Sequence, residues 1–271
     1  MKTVALIGYP LGHTVSPAMH NAAYKALGLD YEYVPLEVAP NDLKASVEGL
    51  KALHFSGFNV TIPYKEAILE HLDDVTKLAQ DIGAVNTVQN QDGKLVGYNT
   101  DGPGFIESLR EDAGFDPKNK KCVLIGAGGA GRAIAVSLME NGAKSIFIYD
   151  VQTEKAEALA SYVGGNLSKD LQKEINESGA LINASPVGMY PKVEASPLPE
   201  GIKLHQKLMV YDLVYNPYET RLLTQAKSAG AKAVSGLGML VRQGAIAFTV
   251  FTGHPAPLTV MWQAAEAGLH S

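Results

Sequence analysis

At 271 residues and 46% apolar composition, the chain can fill two compact cores, which excludes a disordered or fibrous protein. Its formal charge is −5 and its 23 Lys and Arg residues form no basic run, which excludes a surface built for nucleic acid or anionic lipid. The single cysteine, Cys122, excludes an internal disulfide and a cysteine metal cluster, and it fits a reducing, cytoplasmic setting.

Met1 to Leu11 is apolar but broken by Gly8, Tyr9 and Pro10, so it predicts a first strand rather than a signal peptide. Further strands are expected near Tyr31 to Leu36, Phe58 to Ile62, Val85 to Val88 and Leu95 to Tyr98, with Asp92-Gly93 turning the last two into a hairpin. The alternation in Phe58-Asn-Val-Thr-Ile62 puts Asn59 and Thr61 on one strand face. Pro63 then suits a helix start, with Lys65 just beyond it. Asn99-Thr-Asp-Gly102 opens the next helix, where Asp101 is by default an N-cap. Taken singly, Lys65 reads as a solvated charge, and Asn86, Thr14 and Ser16 read as turn or cap residues.

The polar stretch Asp116 to Lys121 predicts a domain boundary. Strands follow at Cys122 to Ile125, Ile146 to Tyr149, Ala180 to Ile182, Met209 to Leu213 and Ala231 to Val234, with helices between them. This alternation defines the class as α/β. After Gly238 come two helical segments broken at His254-Pro-Ala-Pro257, which the sequence assigns to neither domain. The most apolar stretch, Gly244 to Phe251, is far too short to cross a bilayer.

The strand Cys-Val-Leu-Ile runs into Gly126, Ala127, Gly128, Gly129, Ala130 and Gly131 and then into a helix, the context in which this glycine spacing marks a dinucleotide site. Gly126 permits the tight turn, Gly128 lets the backbone approach a pyrophosphate, and Gly131 lets helix and strand pack closely. The helix start offers free amides to the phosphates. A second strand ends at Asp150, about the 20 residues on at which an acid meets the ribose hydroxyls. A carboxylate there repels a 2′-phosphate, and Val151-Gln152-Thr153 supplies no arginine to clamp one, although Lys155 lies one turn on. NAD is therefore expected in preference to NADP. Asn183, Ala184 and Ser185, with Asp212-Leu213 and Ser235-Gly236, stand at later strand ends and are candidates for the nicotinamide pocket.

Taken together, these segments resemble the shikimate dehydrogenase family, which includes quinate dehydrogenases. The resemblance spans the chain in seven motifs: Gly8 to Asn21, Asn59 to Lys65, Gly83 to Thr87, Gly97 to Gly102, Gly126 to Gly131, Tyr211 to Pro217 and Gly236 to Gln243. It implies a substrate-binding α/β domain with a mixed sheet over 1–104, completed by C-terminal helices 240–271. A Rossmann-like NAD(P)-binding domain with a doubly wound parallel sheet is implied over 105–239, with the active cleft at the junction. It further implies a catalytic pair, Lys65 and Asp101, at the hydroxyl that becomes a ketone. Thr14 and Ser16 would bind the substrate carboxylate, Asn59, Thr61, Asn86 and Gln243 the hydroxyls, and Tyr215 the carboxylate side. Leu213, Gly236 and Met239 join the cofactor residues. The activity implied is reversible hydride transfer between a nicotinamide cofactor and the 3-position of shikimate, a step of aromatic amino acid biosynthesis.

Two departures bear on this. Position 14 is commonly serine in shikimate-specific members, and Thr14 adds a methyl group to the pocket. Asp150-Val151-Gln152 replaces the usual Asn-Arg-Thr, whose arginine holds the NADP phosphate, and members that use NAD often accept quinate. A quinate-preferring NAD enzyme is thus the nearest alternative. A folate one-carbon enzyme of similar shape and a non-catalytic NAD-binding redox sensor are more distant ones. The partner expected is a small molecule rather than nucleic acid or membrane, with no metal, in a monomer or homodimer. A lysine with its ordinary pKa of about 10.4 is a poor base. The sequence leaves open whether Lys65 transfers the proton or positions the hydroxyl.

Overall fold

The structure is a computed structural model that describes residues 1–12 and 14–269. His13 of the first motif and the last two residues of the 240–271 segment lie outside the described residues. The chain divides into two compact units, Met1–Gly104 with the segment from Val241 onward, and Phe105–Leu240.

The first unit runs β1 (Lys2–Gly8), α1 (Ser16–Ala26), β2 (Tyr31–Glu37), α2 (Leu43–Ala52), β3 (Gly57–Val60), β4 (Asp74–Val75), α3 (Lys77–Ile82), β5 (Thr87–Gln91), β6 (Lys94–Tyr98) and the start of α4 (Asp101–Glu111). Its six strands lie in the order β2-β1-β3-β5-β6-β4. β1 pairs in parallel with β2 and β3, while β3-β5 and β5-β6 are antiparallel, so the sheet is mixed. The β5-β6 hairpin turns at Asp92 and Gly93, both at positive φ (51° and 92°), as a two-residue Asp-Gly turn requires. Ala5, Ile7, Phe58, Val60, Val88 and Leu95 of the sheet pack with Val47 and Leu50 of α2 to form this unit's core.

The second unit continues with β7 (Lys121–Ile125), α5 (Gly129–Glu140), β8 (Ser145–Tyr149), α6 (Thr153–Val163), β9 (Asn166–Leu167), α7 (Leu171–Glu177), β10 (Ala180–Asn183), β11 (Met209–Asp212), α8 (Arg221–Ser228) and β12 (Lys232–Ser235). Its strands are all parallel, in the order β12-β11-β10-β7-β8-β9. Alternate residues of β7 enter different cores: Cys122 and Leu124 join Ile134 and Leu138 of α5, whereas Val123 and Ile125 join Leu222 and Leu223 of α8. Both faces of the sheet are therefore covered, which is why these strands read as continuous apolar runs. β7 is the switch point, because the chain fills the sheet first toward β8 and then toward β10.

Two local expectations are corrected. Of Asp116 to Lys121, all but Lys121, the first residue of β7, form a loop inside the second unit, held by Asn119 N–H donating to the Gly142 carbonyl at 2.8 Å and by the bridge of Lys118 to Ala143. The unit change falls earlier, within α4. Pro63 begins no helix: it follows a cis bond, and Tyr64 N–H returns to the Thr61 carbonyl at 3.0 Å to close a turn before a short 3-10 segment, Ala67–His71. The last helices, α9 (Leu237–Thr252) from Val241 on and α10 (Leu258–Leu269), join the first unit, where α10 packs on α1. Among the described residues no helix is long and apolar enough to cross a membrane.

Candidate active site

In the first unit, β3 carries Asn59, the turn after it carries Lys65, the lead-in to β5 carries Asn86, and the start of α4 carries Asp101. Lys65 Nζ donates to Asp101 Oδ2 at 2.7 Å, with side-chain exposures of 18% and 6%. A partly buried charge pair is screened by salt less than an exposed one. Lys65 is also fixed through its backbone, since Val85 N–H donates to its carbonyl at 2.7 Å. At the N-terminus of α4, Asn99 Oδ1 accepts from the Asp101 and Gly102 N–H groups at 3.0 and 3.2 Å. Asn99 therefore does the capping expected of Asp101, and the Asp101 carboxylate is left for other partners.

One such partner is Asn86, whose Nδ2 donates to Asp101 Oδ1 and to Thr100 Oγ1, both at 2.9 Å. Gln243 Oε1 stands 3.4 Å from the same nitrogen and from Thr100 Oγ1. Asn86 Oδ1 in turn accepts from Thr100 N–H at 2.8 Å and from Thr87 Oγ1 at 3.2 Å. Asn59 Nδ2 donates to the Asn86 carbonyl at 3.0 Å and to Thr87 Oγ1 at 2.9 Å, and Tyr33 donates to Asn59 Oδ1 at 2.8 Å.

Five of the expected residues, Lys65, Asp101, Asn59, Asn86 and Gln243, are thus in one hydrogen-bonded cluster. Thr14 Oγ1 accepts from Ser16 N–H at 3.3 Å, a turn leading into α1, and Thr61 continues the strand face of Asn59. Tyr33, Thr87, Asn99 and Thr100 were missed. Thr87, Asn99 and Thr100 lie inside motifs quoted above, whereas nothing in the pattern of β2 distinguishes Tyr33 from an ordinary core aromatic.

In the second unit the glycine turn joins β7 to α5. Gly126 has φ +100°, and a Cβ there would lie 2.8 Å from Ser185 N. A Cβ on Gly131 would lie 2.1 Å from the Gly126 carbonyl oxygen, whereas one on Gly128 would meet nothing within 4 Å. Two of the glycines are required by the fold itself, and the third borders open space. Asp150 directly follows β8 and braces this turn: its Oδ2 accepts from Ala127 N–H at 2.8 Å and its Oδ1 from Gln152 N–H at 2.9 Å. These residues fit a dinucleotide, since free amides at the start of α5 and an acceptor after β8 are what its phosphates and ribose need.

At the other strand ends, Asn183 is fully buried, donating to Asp212 Oδ1 at 2.8 Å and accepting from Ser185 Oγ at 2.6 Å. Asp212 also accepts from Thr220 Oγ1 at 2.6 Å and Val214 N–H at 3.1 Å, yet burial dominates and raises its pKa above the ordinary carboxylate value. Ala184 and Leu213 are half-buried, Gly236 is buried, and Met239 is a core residue of this unit. Tyr215 also belongs to this unit, and burial raises its phenol pKa. A groove of about 500 Å³ along α6, β9 and α7 lies apart from all of these, and its Glu174 carboxylate is already bound by Lys169 and Asp170 N–H groups.

The sheet order and glycine turn of the second unit define a dinucleotide-binding domain, and with a mixed-sheet α/β unit in the same chain the class is that of a nicotinamide-dependent oxidoreductase. Family profiles match three segments: the shikimate dehydrogenase substrate binding domain at residues 6–88, shikimate / quinate 5-dehydrogenase at 109–215, and the shikimate 5′-dehydrogenase C-terminal domain at 236–266. The shikimate dehydrogenase (NADP(+)) of Methanopyrus kandleri is 46% identical over 97% of this chain and 94% of its own length. The crystal structure of the Thermus thermophilus enzyme with NADP(H) and shikimate has a TM-score of 0.92 at 40% identity, covering 99% of this chain and 100% of that one. Quinate dehydrogenase from Corynebacterium glutamicum in complex with NAD gives 0.89 at 32% identity, covering 98% and 99%. The chain belongs to the shikimate dehydrogenase family.

Proposed function

We propose that the chain interconverts shikimate and 3-dehydroshikimate, with Lys65 and Asp101 handling the hydroxyl that becomes the ketone. The observation that carries this reading is the partly buried 2.7 Å contact between Lys65 and Asp101, with Asn86 held on the second carboxylate oxygen. When bound, the nicotinamide dinucleotide supplies the hydride acceptor, or the donor in reverse. Loss of hydride from the secondary alcohol makes its proton acidic, and the Lys65–Asp101 unit accepts that proton while its charge orients the oxygen. Asn86, Gln243 and Thr61 bind the remaining hydroxyls. Thr14 and Ser16, at the start of α1, bind the carboxylate, which the positive end of the helix favours. Gly126 to Gly131 and the start of α5 hold the pyrophosphate, with Gly128 on the approached side, and Asp150 holds the ribose.

A second reading concerns the cofactor. Asp150 favours NAD over NADP, because its carboxylate accepts from ribose hydroxyls and repels a 2′-phosphate. Val151 beside it is 85% exposed and brings no positive charge. Relatives carry NADP(+) in their names, and the quinate dehydrogenase structure holds NAD, so quinate belongs in the same test. That test is steady-state kinetics with shikimate and quinate, each with NAD and NADP. Shikimate with NAD should give the highest kcat/KM. Absence of turnover with shikimate under either cofactor would overturn the first reading, and a higher kcat/KM with NADP would overturn the second alone.

A further inference from the structure

Asn59 sits in the motif that also contains Lys65, yet its polar groups are turned inward. Both of its N–H groups are committed, one to the Asn86 carbonyl and one to Thr87 Oγ1, and its carbonyl oxygen accepts from Tyr33. The side chain is only 7% exposed. Tyr33 is 2% exposed, and its ring stacks on His20 with centroids 4.4 Å apart and planes 7° from parallel. Burial raises its phenol pKa, so the group stays protonated and available to donate.

The donors run in one direction. Tyr33 Oη donates to Asn59 Oδ1, which turns Asn59 Nδ2 toward Thr87 Oγ1. That hydroxyl, accepting on one side, keeps its own proton for Asn86 Oδ1 at 3.2 Å. With its oxygen so occupied, Asn86 presents Nδ2 to Asp101 Oδ1 at 2.9 Å, and Asp101 Oδ2 is left to Lys65 at 2.7 Å. Every member of such a network constrains the amide orientation of the next, and removing the first donor leaves a buried carbonyl oxygen unpaired.

We infer that Tyr33 is a positioning residue for the Lys65–Asp101 pair, acting through Asn59, Thr87 and Asn86 and held in place by the ring of His20. The inference rests on the reading that this pair handles the substrate hydroxyl. It gives Asn59 a role behind the site instead of one against the substrate. Thr100 N–H still holds Asn86 Oδ1 when the relay is cut, so the loss is partial.

The test is a kinetic comparison of Tyr33→Phe, Thr87→Val, Thr87→Ser and the double variant Tyr33→Phe/Thr87→Val, with folding checked by thermal melting and rates expressed per folded enzyme. Tyr33→Phe keeps the stacked ring and removes only the hydroxyl. It should lower kcat with shikimate about 10-fold, the usual scale for one coupled contact, with cofactor KM held within about 2-fold. Thr87→Val should do the same and Thr87→Ser should restore the rate. The double variant should be no slower than the slower single one, because both substitutions cut the same relay. A Tyr33→Phe enzyme with wild-type kcat, effects that multiply in the double variant, or no recovery in Thr87→Ser would each overturn the inference while leaving shikimate turnover by the wild type intact. A wild type that turns over no shikimate would overturn the functional reading and this inference with it.

Discussion

Lys65 Nζ and Asp101 Oδ2 lie 2.7 Å apart across 36 residues of chain, the lysine delivered by the turn after β3 and the aspartate by the first residue of α4. Lys65→Ala should lower kcat with shikimate by ~10²–10⁴-fold, the range for a lost proton-handling group, while dinucleotide affinity stays near that of the wild type. Steady-state rates together with titration of the cofactor by fluorescence check this. A variant that keeps its rate refutes the assignment, and one that loses cofactor binding points to a wider collapse.

Gly131 and Gly128 of the dinucleotide turn should separate by phenotype. Gly131→Ala sets a methyl group 2.1 Å from the Gly126 carbonyl oxygen, so backbone must move and the melting temperature should fall. Gly128→Ala meets no neighbour, so the fold should persist and cofactor affinity alone should drop. Calorimetric unfolding and cofactor titration on both variants decide it. Equal melting temperatures would show that the close approach at Gly131 relaxes cheaply.

Cofactor choice should respond to position 150. Asp150→Asn removes the charge but leaves an amide oxygen that still accepts from Ala127 N–H, now 2.8 Å from the carboxylate. The ratio of kcat/KM for NADP to that for NAD should rise about 10-fold or more, because the repulsion of the 2′-phosphate is gone. An unchanged ratio would show that Asp150 does not select the cofactor.

Acid stability should carry the signature of His20. The ring is buried, and desolvation lowers its pKa from 6.5 to about 3. The folded protein keeps this ring neutral down to that pH, whereas the unfolded chain protonates it below about 6.5. Stability from this group is therefore full above pH 6.5 and is lost as pH falls toward 3. Between about pH 7 and pH 5 the loss should be roughly 2 kcal/mol. His20→Phe keeps a ring against Tyr33 and should show a shallower decline in urea midpoint over that interval. Parallel pH profiles for the two proteins would contradict this.

What could be read in the sequence was whatever depends on short-range geometry. Gly131 is dictated by a contact within its own turn and Gly126 by the positive φ that the turn takes there, and Asp92-Gly93 announces the hairpin by the positive φ it permits. β4 and β9 have two residues each, too few to show a period. Pro63 misleads because proline suits a turn after a strand as well as the first turn of a helix. Asp116 to Lys121 has linker composition, but it is pinned by contacts to Gly142 and Ala143 that no local pattern shows. In the site, the resemblance supplied Lys65 and Asp101, whose pairing no spacing rule could give. Tyr33 stayed hidden because its hydroxyl meets Asn59 26 residues away, while its alternation in β2 is that of any inward-facing aromatic. Asn99 was overlooked for a related reason, since Asp101 two residues on matches the capping preference equally well.

The brace from Asp150 to Ala127 gives one acidic side chain two duties. One oxygen ties the strand end after β8 to the glycine turn and the other closes its own loop, so the carboxylate proposed to meet the ribose is already fixed in place. A preorganised acceptor spares the ordering entropy that a mobile loop would lose on association. It also limits how the chain can drift between cofactors in evolution. Replacement by asparagine keeps the tie and removes the charge proposed to select the cofactor, whereas replacement by alanine or by a long cation removes a strut of the turn along with the charge. Changes of cofactor at this position should therefore pass through asparagine, or arrive together with a second substitution that steadies Ala127.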